Sequence, residues 1–380
     1  MIRTMTLACF ILIAGPVVAK SGEQTGSGDS PNTLRVATYN VSLYGQRSGE
    51  VAERLATGND SQARRLARVI QSARPDLLLL CEIDHDRDGR TLDLFADRYL
   101  AEPQGASPAI EYPYRWSIPS NTGLLADEDL DGDGRRSLPA DAWGYGTYPG
   151  QYAMAVLSRY PLQTEQIRTF QSLRWADFPD AKRPRLPGQD YFHAEEVWRS
   201  LRLSSKNHVD VPVRIGHGDQ TIHLHLLASH PTPPVFDGPA DENGCRNHDE
   251  ILFWHHYLSG PRATQLIDDE GVAGGLPAGE RFVIAGDLNS DPDRGDSRRT
   301  AIKQLLRHPR IEDPMPKNGH GDPFTAQFGN GDRVRVDYVL PSSNWRCVHA
   351  GVVWPQDDDP LASSADASDH RLVWVDLELP

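Results

Sequence analysis

Phe282-Val283-Ile284-Ala285-Gly286-Asp287-Leu288-Asn289 is the stretch on which the reading of this sequence turns. Its short apolar run reads as a buried strand, ending on a carboxylate and a carboxamide two residues apart. Side chains alternate faces along an extended backbone, so Asp287 and Asn289 are expected to point the same way. An anion beside a neutral donor and acceptor, at the mouth of a sheet, suits the activation of water near a phosphate. The other reading of Gly286-Asp287-Leu288-Asn289 alone is a strand that closes in an Asx turn. The remainder of the chain decides between the two.

Outward from this strand, the spacing predicts further strands over 34–40, 76–83, 152–157, 220–228, 334–340 and 371–377. Helices are predicted over 61–73, with Leu66, Val69 and Ile70 on one face and Pro75 ending it, and over 249–258. Polar loops rich in Gly and Pro fill 101–150, 170–210 and 231–247. No internal repeat is visible, and no linker after residue 32 separates two cores. One mixed α/β domain over 33–380 with elaborated loops follows, and loops of that length usually carry function.

The chain has 380 residues, 38% apolar and 24% charged, a composition of globular proteins. Its first residues differ. Arg3, the apolar run 7–18 and the small-residue end Val17-Val18-Ala19 make a cleaved secretory signal over 1–19, followed by a Ser/Gly-rich disordered leader over 20–32. That apolar run is too short to span a bilayer, so the expectation is a secreted or periplasmic protein with no transmembrane segment and no obligate protein partner. Beyond the signal, Cys81, Cys245 and Cys347 remain, an odd count that makes no disulfide framework. Cys81 reads as a buried small hydrophobe, whereas pairing of Cys245 with Cys347 is left open by spacing. A net charge of −14 repels polyanions, and no sustained Lys/Arg track with interleaved aromatics appears. This weighs against a dedicated nucleic-acid binder, although bound divalent cations can supply local positive charge.

Several predicted strands end on a polar residue able to do chemistry. Asn40 closes Ala37-Thr38-Tyr39-Asn40, Glu82 follows Leu80-Cys81, and His230 opens His230-Pro231-Thr232-Pro233-Pro234. Asp287 and Asn289 come next, then Asp337 within Arg335-Val336-Asp337-Tyr338-Val339, then Ser368-Asp369-His370 before the last strand. Each alone has a bland reading as a turn residue or a solvated group. Asp337 fits the bland reading least, because an acid between a valine and a tyrosine loses hydration unless it is paired.

In this order, the set resembles the endonuclease/exonuclease/phosphatase superfamily, which includes pancreatic-type DNases, abasic-site endonucleases, neutral sphingomyelinases and inositol polyphosphate 5-phosphatases. The resemblance runs from about residue 34 to 377. It implies a single-domain α/β (α+β) fold, a four-layer sandwich of two mixed β-sheets flanked by helices, with the site where strand ends converge. Carried onto this sequence, it makes Glu82 the chief ligand of a divalent cation, Mg2+ or else Mn2+ or Ca2+, with Asn40 and Asp369 close to it. It implies that Asp287 orients or deprotonates the attacking water and that Asn289 holds a phosphate oxygen. It further implies that Asp337 pairs with His370, fixing its tautomer and favouring its charged form, while His230 faces the phosphate from the other side. Read on chemistry alone, an oxygen-ligated hard cation, a carboxylate, an amide and two histidines meet the needs of phosphoester hydrolysis. No Ser, Thr or Cys nucleophile motif stands out, which favours direct attack by water.

Other features are weighed beside these. Asp129-Leu130-Asp131-Gly132-Asp133-Gly134 opens like an EF-hand loop, but Ala140 stands where a bidentate Glu is required. Asp129, Asp131 and Asp133 are therefore either a structural Ca2+ loop completed from elsewhere or a solvated acidic turn. Asp84 to Gly89 repeats the spacing, with Asp84 alternatively serving the site's rim. Gln151 and Tyr152 are candidates for that rim, and Arg246 and Asn247 are candidates for a substrate phosphate. Asn121-Thr122-Gly123 has no chemical reading. The Pro-rich continuation after His230 is atypical of the DNase and abasic-site branches, and Arg335-Val336 replaces the Trp and Cys/Thr of the 5-phosphatases. The expectation is a secreted metal-dependent hydrolase of phosphodiesters or phosphomonoesters, small, lipid-linked or nucleic acid. An extracellular DNase is one alternative, and an inactive secreted binding protein on the same fold is another.

Overall fold

The computed structural model describes residues 32–188, 191–216, 221–329 and 331–380. The expected signal over 1–19 and the leader up to residue 31 lie outside the described residues. In chain order the strands are β1 (Thr33–Leu43), β2 (Leu77–Ile83), β3 (Tyr114–Ile118), β4 (Ala153–Ser158), β5 (Arg168–Thr169), β6 (His208–Ile215) and β7 (Ile222–Ser229). They continue with β8 (Phe282–Asp287), β9 (Ala326–Gln327), β10 (Arg333–Val334), β11 (Asp337–Pro341), β12 (Cys347–Val352) and β13 (Val373–Glu378). The helices are α1 (Glu50–Ala56), α2 (Ser61–Ala73), α3 (Arg90–Phe95), α4 (Glu195–Ser200), α5 (Glu242–Tyr257), α6 (Gly260–Ala263), α7 (Thr300–Leu306) and α8 (Ala362–Ala365).

One sheet has the order β12-β13-β1-β2-β4-β3 and the other β11-β8-β7-β6-β5, with β9 and β10 as a separate ribbon. Both sheets are mixed: β1 runs parallel to β2 and antiparallel to β13, and β8 parallel to β7 and antiparallel to β11. The apolar runs are continuous because each central strand is buried on both faces. Leu77, Leu79 and Cys81 of β2 meet Val209, Val211, Leu226 and Val283 in a core between the sheets. Leu78 and Leu80 instead face α1, α2 and α3. Likewise Phe282 and Ile284 face α5 and α7 on the far side of the second sheet. The result is the expected four-layer sandwich in a single domain. A buried position such as Leu80 contributes through close packing, so Leu80→Ala would cost about 3 kcal/mol.

The predicted helix over 61–73 has those bounds in the structure. Asp60 caps it by accepting from the Ala63 amide at 2.9 Å, and Arg74 ends it at φ 52 before Pro75. Other segments differ from expectation. The run 334–340 is broken at Arg335-Val336, because the Asp291 carboxylate takes the Arg335 amide at 2.8 Å and Thr325 Oγ1 takes the Val336 and Asp337 amides at 3.0 Å each. Two segments assigned to loops supply strands, β3 and the start of β6, where Pro212 interrupts the pattern. The segment 242–247, read as loop, is the first part of α5. Cys245 and Cys347 are not bonded, since Cys245 is buried on α5 outside one sheet and Cys347 lies on the edge strand of the other.

Candidate active site

The alternation of the strands places the polar ends. Asn40 follows Leu34 and Val36 in parity, His230 follows Leu226 and Ala228, Asp287 follows Val283 and Ala285, and Asp337 precedes Val339. All of those apolar residues lie in the core between the sheets. Their polar partners therefore emerge where that core opens at one edge. Glu82 has the opposite parity, shared with Leu78 and Leu80. A bulge between Cys81 and Ile83, with Glu82 at φ 56, turns it into the site instead. Gly286 is also required here: a Cβ at that position would lie 2.0 Å from the Ser229 carbonyl oxygen.

Asp287 Oδ2 is the point of convergence. It accepts from Asn40 Nδ2 at 3.1 Å and lies 3.5 Å from His230 Nε2 and 3.7 Å from His370 Nε2. His370 Nδ1 is 2.9 Å from Asp337 Oδ2, so one imidazole spans two carboxylates. Asp287, Asp337 and His370 are all buried. Burial works against the charge of Asp287, but the His370 charge, the nearby His230 imidazole and the Asn289 amide hold it well below the usual carboxylate range. Burial also disfavours the His370 imidazolium, yet Asp337 and Asp287 on its two sides lift it to about 10. His230 is buried with both ring nitrogens lacking a hydrogen-bond partner.

Glu82, His230 and Asp287 bring ligand atoms within 4.8 Å of one another, as do Asp287, Asp337 and His370. Two hard carboxylates beside an unpartnered imidazole fit a divalent cation. The expected ligand set is only partly assembled. Asn40 presents its amide nitrogen to Glu82 Oε1 and Asp287 Oδ2, each at 3.1 Å, while its oxygen takes the Ser42 amide at 3.2 Å. It thus stands as a donor between carboxylates. Asp369 is exposed at the margin, with Oδ1 3.3 Å from Ser42 Oγ.

Asn289 departs from the extended geometry expected of it. Its φ is 52, its amide is bonded to Asp287 Oδ1 at 2.9 Å, and its Nδ2 donates to Pro231 O at 3.0 Å. The Asx turn and the site are therefore the same feature, and one N–H of the carboxamide stays available. Gln151 is not a rim residue: buried, it gives Nε2 to Gly45 O at 2.9 Å and receives the Thr147 amide at 2.8 Å. Tyr152 is half-buried, edge-on to Tyr44 with centroids 4.5 Å apart and stacked on the exposed Tyr145 at 6.4 Å. Burial, with Tyr44, Tyr145 and Glu82 nearby, pushes its hydroxyl up to about 12. Asp84 is buried under the rim, accepting from Tyr148 Oη at 2.6 Å, and burial raises it to about 6.

Arg246 and Asn247 hold backbone. Arg246 donates to Leu203 O, Trp143 O and Arg202 O at 3.0, 2.6 and 2.8 Å. Asn247 Nδ2 donates to Thr232 O at 2.8 Å and Leu288 O at 3.0 Å, tying the loops after His230 and Asp287 together. Glu250, not singled out from the sequence, takes the Ser205 and Thr232 amides at 2.7 and 2.6 Å. Arg246, Asn247 and Glu250 lie on one side of α5 at i, i+1 and i+4, a spacing that only the full helix reveals. At the acidic loop, Asp129, Asp131 and Asp133 converge within 4.8 Å, and buried Asp141, one place beyond Ala140, takes the Leu130 amide at 2.6 Å.

A family model for the endonuclease/exonuclease/phosphatase family matches residues 37–370, and the chain belongs to that family. Among solved structures, one of an endonuclease/exonuclease/phosphatase from Beutenbergia cavernae is similar at 17% identity and a TM-score of 0.50, covering 92% of this chain and 72% of that one. A family protein from Leptotrichia buccalis has 13% identity and a TM-score of 0.49, over 91% and 99% of the two chains. Sphingomyelinase C from Streptomyces griseocarneus has 18% identity and a TM-score of 0.46, over 90% and 99%. A search of curated proteins returns no match.

Proposed function

We propose that this protein is an exported, divalent-metal-dependent phosphoesterase that cleaves a phosphodiester or phosphomonoester by direct attack of water. The observation that carries the reading is Asp287 Oδ2, bonded to Asn40 and flanked by His230 at 3.5 Å and His370 at 3.7 Å. In this reading Asp287, held ionised, takes the proton of the attacking water or aims its lone pair. His370, charged through Asp337, stabilises negative charge on the phosphoryl oxygens and can give a proton to the leaving alkoxide. His230, with no partner of its own, binds a second phosphoryl oxygen, and the free N–H of Asn289 is placed to bind another. A cation held by Glu82 and Asp287, Mg2+ by the hardness of these donors, would supply further positive charge at the phosphate.

Two alternatives are weighed on specific observations. The net charge of −14 argues for a small or lipid-linked phosphoester over long nucleic acid. An inactive binding protein has no use for a buried Asp337–His370 pair aimed at a second carboxylate. The test is hydrolysis of bis-p-nitrophenyl phosphate, p-nitrophenyl phosphate, sphingomyelin and plasmid DNA, with Mg2+, Mn2+ or Ca2+ and with EDTA. Failure on every substrate with every cation would refute the enzyme reading. Cleavage of DNA in preference to the others would make it a nuclease.

A further inference from the structure

His370 spans two carboxylates, with Asp337 Oδ2 2.9 Å from its Nδ1 and Asp287 Oδ2 3.7 Å from its Nε2. It does so from a turn, since residues 368–371 lie between α8 and β13 and belong to neither. Three sets of contacts fix that turn. Ser368 Oγ donates to Asn40 O at 2.8 Å and accepts the His370 amide at 3.1 Å. From the side of β9, the Gln327 amide donates to Asp369 O at 2.9 Å, and Thr325 O accepts the Arg371 amide at 2.7 Å. Arg371 Nη1 then donates to Ser368 O at 2.6 Å and to His370 O at 3.0 Å. The carbonyls of Ser368, Asp369 and His370 are thus all taken, two of them by one nitrogen.

Arg371 is 6% exposed, and ion pairing does not account for its burial. Its carboxylate neighbour is Asp366, 3.3 Å away with a side chain 73% exposed, a contact that contributes little in water. The guanidinium carbon lies 4.5 Å from the ring centroid of Trp354, a buried residue that also carries Arg333 of β10 at 4.9 Å. Trp354 therefore seats the guanidinium, and the two N–H groups of Nη1 match the two carbonyls. Without Nη1, Ser368 O and His370 O would be buried acceptors with no donor, in the turn that carries His370. The imidazole, held between two acids, is the group most affected by a shift of that turn.

We propose that Arg371 is a positioning residue of the site: its Nη1, bridging Ser368 O and His370 O, sets where the His370 imidazole sits between Asp337 and Asp287. It acts through His370 and does not touch the substrate. The effect on turnover rests on the phosphoesterase reading, whereas the placement of the imidazole does not.

Arg371→Met tests it, since methionine keeps an apolar stem beside Trp354 and removes the donors. In the folded variant, kcat on bis-p-nitrophenyl phosphate with Mg2+ should fall about 100-fold, as for displacement of a reacting group by about 1 Å, with KM within about twofold of the parent. Arg371→Lys, whose ammonium can still bridge two carbonyls, should recover about tenfold of that loss. The low-field proton signal of the His370 N–H facing Asp337, assigned by its absence in His370→Gln, should shift or broaden in Arg371→Met and return in Arg371→Lys. Arg371→Gln, two bonds too short to reach either carbonyl, carries the same expectations as the methionine variant and replaces it if that variant does not fold. A folded methionine or glutamine variant with kcat within about twofold of the parent and an unchanged His370 signal would overturn the proposal. So would a lysine variant no more active than the methionine one. If the parent cleaves none of the substrates, the hydrolase reading falls, and a His370 signal displaced in Arg371→Met and restored in Arg371→Lys would leave the positioning role standing.

Discussion

His370 Nε2 lies 3.7 Å from Asp287 Oδ2 while its Nδ1 is 2.9 Å from Asp337 Oδ2. Asp287 and Asp337 are register partners on adjacent strands of one sheet, and His370 leads into β13 of the other. One imidazolium thus joins the two sheets at the edge where the site opens, and its charge is set by both acids. The proposed site and sheet-to-sheet cohesion share this group.

The pH dependence of stability follows with a definite sign. His370 is lifted from about 6.5 in the unfolded chain to about 10 in the fold. Its contribution is fully present below pH about 6.5, and is lost progressively as pH rises towards and through about 10. Urea unfolding in EDTA should therefore show stability falling between pH 7 and 10 more steeply in the parent than in H370Q. Equal slopes would mean that the folded protein does not bind the extra proton.

Asp337 acts through His370. Asp337→Asn removes the nearer of the two anions that favour the imidazolium, so the alkaline limb of the kcat/KM profile should move to lower pH by about one unit or more. KM at neutral pH should change little. An unshifted limb with unchanged kcat would remove His370 from the chemistry.

The α5 staples are predicted to matter for geometry and stability. Glu250→Ala leaves the Ser205 amide, the Ser205 hydroxyl and the Thr232 amide without their acceptor in a buried setting, and should cost about 3 kcal/mol in urea unfolding. Asn247→Ala frees the loops after His230 and Asp287, and should lower kcat about 10-fold or more through misplacement of those residues. Fully active N247A would show that the loops hold their positions without it.

How much of this was legible in the sequence depends on the range of the signal. Asn40, Asp287 and Asp337 are legible because each extends an apolar alternation whose face is fixed by its own neighbours. Glu82 is legible only through its place in the ordered set, since its parity is wrong and a bulge corrects it. Glu250 is not legible at all. The role of Glu250 depends on the chain closing over 205 and 232. The same holds for Arg246 and Asn247, whose helix begins at Glu242, several residues before the apolar pattern starts.

In the proposed site, Tyr152 presents an aromatic edge between Tyr44 and Tyr145. Tyr152→Ala should raise KM for aryl phosphoesters by about 3- to 10-fold with kcat nearly unchanged, the size of one aromatic contact. A fall in kcat alone would move Tyr152 from substrate binding to the chemistry.

The most direct test of the central claim is hydrolysis of bis-p-nitrophenyl phosphate by the parent protein and by Asp287→Ala, each treated with EDTA and then given Mg2+. The account predicts activity in the parent only with the cation restored, and a fall of about 1000-fold in the folded variant, as for loss of a general base. A folded D287A within about tenfold of the parent, or a parent fully active in EDTA, would contradict it.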